Sequence, residues 1–326
     1  MSLLQIESDA LAVSVNPGVG GTITDVRHRA SGLSVLGRVP WNCEDSPLPS
    51  LAARDEPEWL TRYTGGWPLL FPNAGDAATV DGVFHGFHGE ASIAPWHVVE
   101  QRADALVLER RFAVIPALMR RTMTVDGDTL TMAEEVTLET PSPADVMWGH
   151  HPSFGSDLLD GPFEITCGAT DVRVEPLYDP PANPLRPGAT GRWPTVAGKD
   201  AVSDLRRPLA PCASLAYLEG FDQPWAAIRR LDDAVAIVLT WDGARFPCAW
   251  LWCELCGTRD EPWGGRTRLV AIEPNTTACS LGLNEARRRG LPLLRLLPGK
   301  AYSASIALRV FTPSGPITTP ETARPS

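Results

Sequence analysis

Thirty-one prolines and 28 glycines punctuate this chain of 326 residues and leave few windows long enough for a helix. Proline lacks the backbone donor a helix needs, so a 3.6-residue apolar period cannot persist across such spacing. What survives between them is strand-like. "LAVSV" (11–15), "LTMAEEVTLE" (130–139), "VAIVLTW" (235–241) and "YSASIALRVF" (302–311) alternate apolar with small or polar residues, or run β-branched, between turn-forming clusters. The expected fold class is all-β: a large antiparallel β-sandwich with a few short helices. The helical exceptions are "NEARRRG", with Asn284 as its cap and Gly290 as its stop, and "PEWLTRY" at 57–63.

No composition shift or repeat divides the chain, so one domain is expected over 1–312. A Pro/Thr-rich segment, 313–326, reads as a mobile tail, and Leu177 to Ala210 as long loops over one mouth of the sandwich. A formal charge of −10 and a pI near 5.1 oppose nucleic acid and anionic membranes as partners, and favour a neutral small molecule. Acidic residues near the start, where a signal peptide needs a basic one, lead us to expect a cytoplasmic protein. Seven scattered cysteines read as reduced, buried thiols. The C-E-L-C of Cys253 and Cys256 lacks a second pair at zinc-site spacing, so no metal is expected there.

Three clusters could carry chemistry. In "GWPLLFPNAG" and "HGFHGEASIAPW", glycines directly after His85 and His88 would let a ligand approach the backbone, while Trp67 and Trp96 offer flat apolar surfaces for a sugar ring. The H-x-x-H spacing of His85 and His88 puts them on opposite faces of an extended segment, which argues against a shared metal. In "WGHHPSFG", His150 and His151 also point to opposite faces, and Pro152 restricts the backbone of His151, making it the better-held candidate. In "RLVAIEPNTT", Glu273 emerges from an apolar run at a corner stiffened by Pro274; the alternative is a buried partner of Arg266 or Arg268. Asn73 reads as a turn former or a sugar ligand, Trp148 and Trp252 as core aromatics or a sugar platform, and Glu90 and Glu254 as paired carboxylates or hydroxyl ligands. There is no G-x-S-x-G, and "NPGVGGT" leads into β-like residues, so nucleophilic hydrolysis and dinucleotide binding are set aside.

In this order, "VNPGVGGTITDVRH", "GWPLLFPNAG", "HGFHGEASIAPW", "HPSF", "IEPNTT" and "LLPGKAYSASIALRV" resemble the aldose 1-epimerase (galactose mutarotase-like) family over residues 13–310. The resemblance implies a β-supersandwich with a sugar cleft, a free aldose as substrate, and no cofactor. It also implies His151 as general acid and Glu273 as general base, with His85 best matching the histidine that binds near the ring oxygen. His88, Asn73, Trp148 and Glu254 join it as candidate substrate contacts, and Asp242 is a candidate for the family's substrate-binding aspartate. The H-G-F-A-R of hexose-6-phosphate epimerases becomes His85, Gly86, Phe87, His88 and Gly89 here. Loss of that arginine counts against a phosphorylated sugar, which would need basic side chains such as Arg62, Arg245 or Arg259 at the rim. A glutamate ionised at neutral pH and a partly protonated histidine would begin in the required states without a large pKa shift.

Overall fold

The structure, a computed structural model, describes residues 3–321. Period-two burial is plainest in Thr129–Leu138, where every second side chain is buried, and in its neighbours Ala117–Asp126 and Ala301–Phe311. One face packs inward while the other meets solvent, as expected of antiparallel strands. These three belong to an eight-stranded sheet running, edge to edge, Phe163–Cys167, Trp225–Arg230, Ala236–Trp241, Ala301–Phe311, Thr129–Leu138, Ala117–Asp126, Ala105–Phe112 and His97–Gln101.

The second large sheet has ten strands, and Cys212–Glu219, Cys248–Leu255 and Arg268–Asn275 lie side by side near its middle. Arg268–Asn275 is buried on both faces after its first residue, because the sheet is covered on its outer side as well as its inner one. Val270 and Ile272 point into the main apolar core between the sheets. Glu273, one residue on, points the other way.

The helices are short. Glu56–Leu60 begins where the Asp55 carboxylate accepts from Glu58 N at 2.9 Å. The second runs Gly282–Arg288 and stops at Gly290, but it starts two residues before Asn284, whose side chain does not cap it. The cap comes from far away: Asn73 Oδ1 accepts from Leu283 N at 2.8 Å. Gly282 sits at φ +79, and a Cβ there would lie 2.1 Å from Asp76 O, so the entry into this helix requires glycine.

One further expectation changes. The 177–210 region is not all loop, since Thr190–Arg192, Thr195–Ala197 and Val202–Asp204 extend the ten-stranded sheet. Within the tail expected to be mobile, Ile317 is buried against Trp225, Ala227 and Val238; residues 322–326 lie outside the described residues. Among the described residues all seven cysteines are free thiols, and no helix is long and apolar enough to cross a membrane.

Candidate active site

A cleft of about 360 Å³, within the usual range of about 300–1,000 Å³ for small-ligand sites, opens on the outer face of the ten-stranded sheet. Its floor follows from strand alternation. Trp250 and Trp252 project from Cys248–Leu255, with Glu273 paired across from Trp250 and Leu215 across from Trp252. Helix Glu56–Leu60 forms one wall through Trp59 and, just beyond it, Tyr63; Tyr178 and Trp263 form others.

The adjacent histidines divide between the two sides of this sheet. His151 faces the cleft, and its Nε2 lies 3.6 Å from Glu273 Oε1. Its Nδ1 lies 2.9 Å from Ser153 Oγ, which in turn is 2.5 Å from the Tyr63 hydroxyl. Donation of Nδ1–H to Ser153 leaves Nε2 as the nitrogen that exchanges a proton with the cleft. His150 points into the sandwich. There Trp67 Nε1 donates to its Nδ1 at 3.2 Å, and its Nε2 is 3.2 Å from Glu134 Oε2.

Glu273 pairs with no arginine among the described residues. Its Oε2 is buried without a hydrogen-bond partner, and burial pushes its carboxyl well above the ordinary range. Burial likewise pulls His151 down to about 4. Burial thus favours the neutral imidazole and the protonated carboxyl over their charged forms, contrary to the expectation of unshifted groups. This pair carries the same single proton as an imidazolium beside a carboxylate, so the two forms differ only in where that proton sits.

The other candidates separate sharply. His88 lies in the cleft, its ring centroid 5.4 Å from that of His151, and its backbone is left-handed at φ +57. Such a conformation costs a non-glycine residue about 1–2 kcal/mol and is found disproportionately at functional sites. Gly75 N donates to His88 Nδ1 at 3.0 Å, and burial holds the ring neutral, so Nε2 carries the hydrogen and can donate to a ligand. Gly89 follows at φ +75, where a Cβ would meet Phe71 O at 2.4 Å.

His85 does not share this site. It lies in a separate hollow beside Asp81 and Arg287, because a turn at Phe87 and His88 redirects the chain after the strand that ends at His85. Trp148 is fully buried, donates to Glu134 Oε2 at 3.1 Å and packs on Phe71 and Phe246; it shares the inward face with His150, two residues along. Trp67 and Trp96 are core residues too. Asn73 is wholly committed to scaffolding: besides capping at Leu283, its Nδ2 donates to Asp76 O at 2.9 Å and Gly86 O at 3.0 Å. Glu254 accepts from Gly257 N at 2.7 Å and from both Thr258 N and Oγ1, pinning the loop that leads to Trp263. Asp242 closes a turn on the other sheet by accepting from Ala244 N at 2.9 Å. Of the basic candidates, Arg62 pairs with Glu44 and Arg245 stacks near Tyr302, while none of Arg62, Arg245 and Arg259 lines the cleft.

Asn73→Ala would leave the buried Leu283 N and the partly buried Asp76 O without this partner, whereas Gly86 O keeps the donor of Gly89 N. At about 1–3 kcal/mol for a buried unsatisfied group, it should lower the unfolding free energy by about 1–3 kcal/mol in a denaturant titration. An unchanged midpoint would show that water replaces the side chain.

Sequence reading missed Tyr63, Trp59, Tyr178 and Trp263. Each is an isolated aromatic in a loop or short helix, with no motif around it to signal that it reaches the cleft.

Neither a protein-family model nor a curated protein sequence matches this chain. Solved structures do match along almost its whole length. The Slr1438 protein of Synechocystis sp. PCC 6803 is 18% identical, with a TM-score of 0.67 over 95% of this chain and 96% of that one. A galactose mutarotase-like protein from Clostridium acetobutylicum is 13% identical, with a TM-score of 0.64 over 95% of each chain. The GalM/aldose epimerase homologue of C. elegans is 15% identical, with a TM-score of 0.60 over 95% and 99%. At such identities the likeness carries the architecture: this chain has the fold of the galactose mutarotase-like, aldose 1-epimerase-like proteins.

Proposed function

We propose that the chain interconverts the α and β anomers of a free aldose. The observation that carries this reading is one acid and one base, His151 Nε2 and Glu273 Oε1, 3.6 Å apart in an aromatic-walled cleft. The hydroxyl oxygen and the ring oxygen of an aldose share the anomeric carbon, so the groups serving them must be close neighbours.

In the opening step, Glu273 as carboxylate takes the proton from the anomeric hydroxyl while His151 as imidazolium protonates the ring oxygen. The bond from C1 to the ring oxygen breaks and C1 becomes a carbonyl. Rotation about C1–C2 presents its other face. In closure the ring hydroxyl returns its proton to His151, and the new anomeric oxygen takes the one held by Glu273. After opening, the pair is a neutral imidazole and a protonated carboxyl, the arrangement that burial favours. The environment thus stabilises the pair at the open-chain stage, and hydrogen bonds from sugar hydroxyls must supply what the charged stage requires.

His88, and not His85, takes the part of the donor that orients the sugar, through its Nε2–H. An unphosphorylated substrate is favoured because, among the described residues, no lysine or arginine lines the cleft.

Polarimetry of freshly dissolved aldoses tests the reading: the protein should accelerate the approach to anomeric equilibrium for at least one of them. His88→Gln should lower kcat/KM by tenfold or more, and His85→Gln by less than twofold. Sugar binding without acceleration would instead assign the cleft to a non-catalytic binding protein.

A further inference from the structure

The cleft carries one sign of charge. Glu56, Asp76, Asp260 and Glu261 stand around its walls and Glu273 lies at its floor, and among the described residues no lysine or arginine lines it. The arginines nearest in sequence to the helical wall are already engaged, Arg54 with Glu58 and Arg62 with Glu44. Arg289, close behind the Leu281 wall, is held by both Glu175 and Glu285. Arg259, next to Asp260, is exposed and outside the lining. Glu56 is solvent-reached at the mouth, yet the surrounding protein, followed by the charges of Asp76 and Glu254, pushes its carboxyl up; no cation offsets them.

A second feature is independent of this rim. Glu273 Oε2 is buried, lacks any hydrogen-bond partner and lies in the same cleft. A buried carboxyl oxygen without a partner, on a side chain that lines a cavity, is a position for a donor on a ligand. Between rim and floor stand Trp59, Phe87, Tyr178, Trp252 and Trp263, whose ring faces attract cations as well as sugar C–H groups.

From this juxtaposition we infer that the aldose taken by the cleft bears a protonated amine, so that the substrate class is an amino sugar. This rests on the reading of the site as an anomer-interconverting one. A neutral sugar would leave the rim carboxylates repelling one another, and an anionic one would add to that repulsion. An ammonium group held at the Glu56 and Asp76 side relieves it while the anomeric carbon sits at Glu273 and His151. Ring hydroxyls and ammonium together fill a site that neither a bare amine nor a plain aldose fills completely.

The test compares D-glucosamine and D-galactosamine with D-glucose, D-galactose, the two N-acetyl derivatives and D-glucuronate, by NMR measurement of anomer exchange at pH 6.5. At least one amino sugar should exceed both its neutral parent and its N-acetyl derivative by tenfold or more in kcat/KM. Added salt should shrink that ratio. In Glu56→Gln/Asp76→Asn the ratio should fall to about one. Equal or faster turnover of the neutral parents, or of glucuronate, overturns the inference while leaving the epimerase reading intact. If no aldose is turned over, the epimerase reading falls, and calorimetric titration of the wild type with the same sugars decides the charge preference by itself. Tighter amino-sugar binding then upholds it and equal binding sinks it. Ethanolamine is the control for a site that recognises amines alone: competition as strong as glucosamine's would overturn the assignment to a sugar.

Discussion

Glu273→Gln should abolish anomer interconversion and at the same time make the protein more stable at neutral and alkaline pH. Removing one proton-transfer group costs a factor of about 10² to 10⁴ in rate, and the amide keeps the shape and a hydrogen-bond donor toward His151. The stability effect has the opposite sign for a physical reason. Burial raises the Glu273 pKa above its ordinary 4.5, so between those two values the folded chain holds a proton that the unfolded chain has lost. Stability therefore falls as pH rises through that window, by about 1.4 kcal/mol per pH unit. His151 has the reverse shift, from 6.5 down to about 4, and its contribution falls as pH drops through that interval. Between about pH 4.5 and 6.5 the two slopes oppose each other, and above 6.5 His151 adds no further slope. Thermal melts of wild type and variant across pH 5 to 8 should diverge steadily, with the variant melting higher at the alkaline end. Parallel curves would mean that Glu273 is not held protonated, and would remove the basis for the neutral resting pair.

The largest loss of stability is expected at Glu134, in the core behind the cleft. Arg121, fully buried, places its Nε 2.7 Å from Glu134 Oε1, and the opposite carboxylate oxygen takes Trp148 Nε1 and the approach of His150. Desolvation is the strongest single influence on Glu134 and raises its pKa. Interactions with His150 and with the Arg121 guanidinium, together with the Trp148 donor, outweigh it and bring the carboxyl to about 2. Glu134→Gln strands the arginine charge in an apolar interior, and such half-removed pairs cost about 3–5 kcal/mol. Replacing both partners, as Arg121→Met with Glu134→Leu, should recover most of that loss, though Trp148 and His150 still lack their acceptor. Denaturant midpoints of the two variants decide it. If the double variant is no better than the single, the cost lies in packing or in the orphaned Trp148 and His150.

His150 and His151 show how far local reasoning reaches. Consecutive residues in an extended backbone face opposite ways, and this alone divides them between the core network and the cleft. The same rule places Glu273 opposite Ile272. It fails at "HGFHGE", where a turn intervenes and two histidines, each followed by glycine, look alike in the sequence. Only the folded chain distinguishes His88 in the cleft from His85 in its separate hollow.

Asn73, Glu254 and Trp148 carry the complementary lesson. Their residue types suit a sugar site, yet each is consumed by a partner: Leu283 for Asn73, the 257–258 loop for Glu254, and Glu134 for Trp148. The Asn73 bond spans 210 positions, beyond the reach of any periodicity.

Strand alternation, turn residues and the stiffening prolines act between near neighbours, so the all-β class, the shortness of the helices and the opposed directions of the paired histidines follow from local residue order. The occupants of the cleft, the partners that take side chains out of it, and the shift of His151 and Glu273 toward their neutral forms were decided by the tertiary structure alone. Exposure to water and access to hydrogen-bond partners depend on which distant segments meet, and those two quantities set whether a polar side chain is scaffold or reagent.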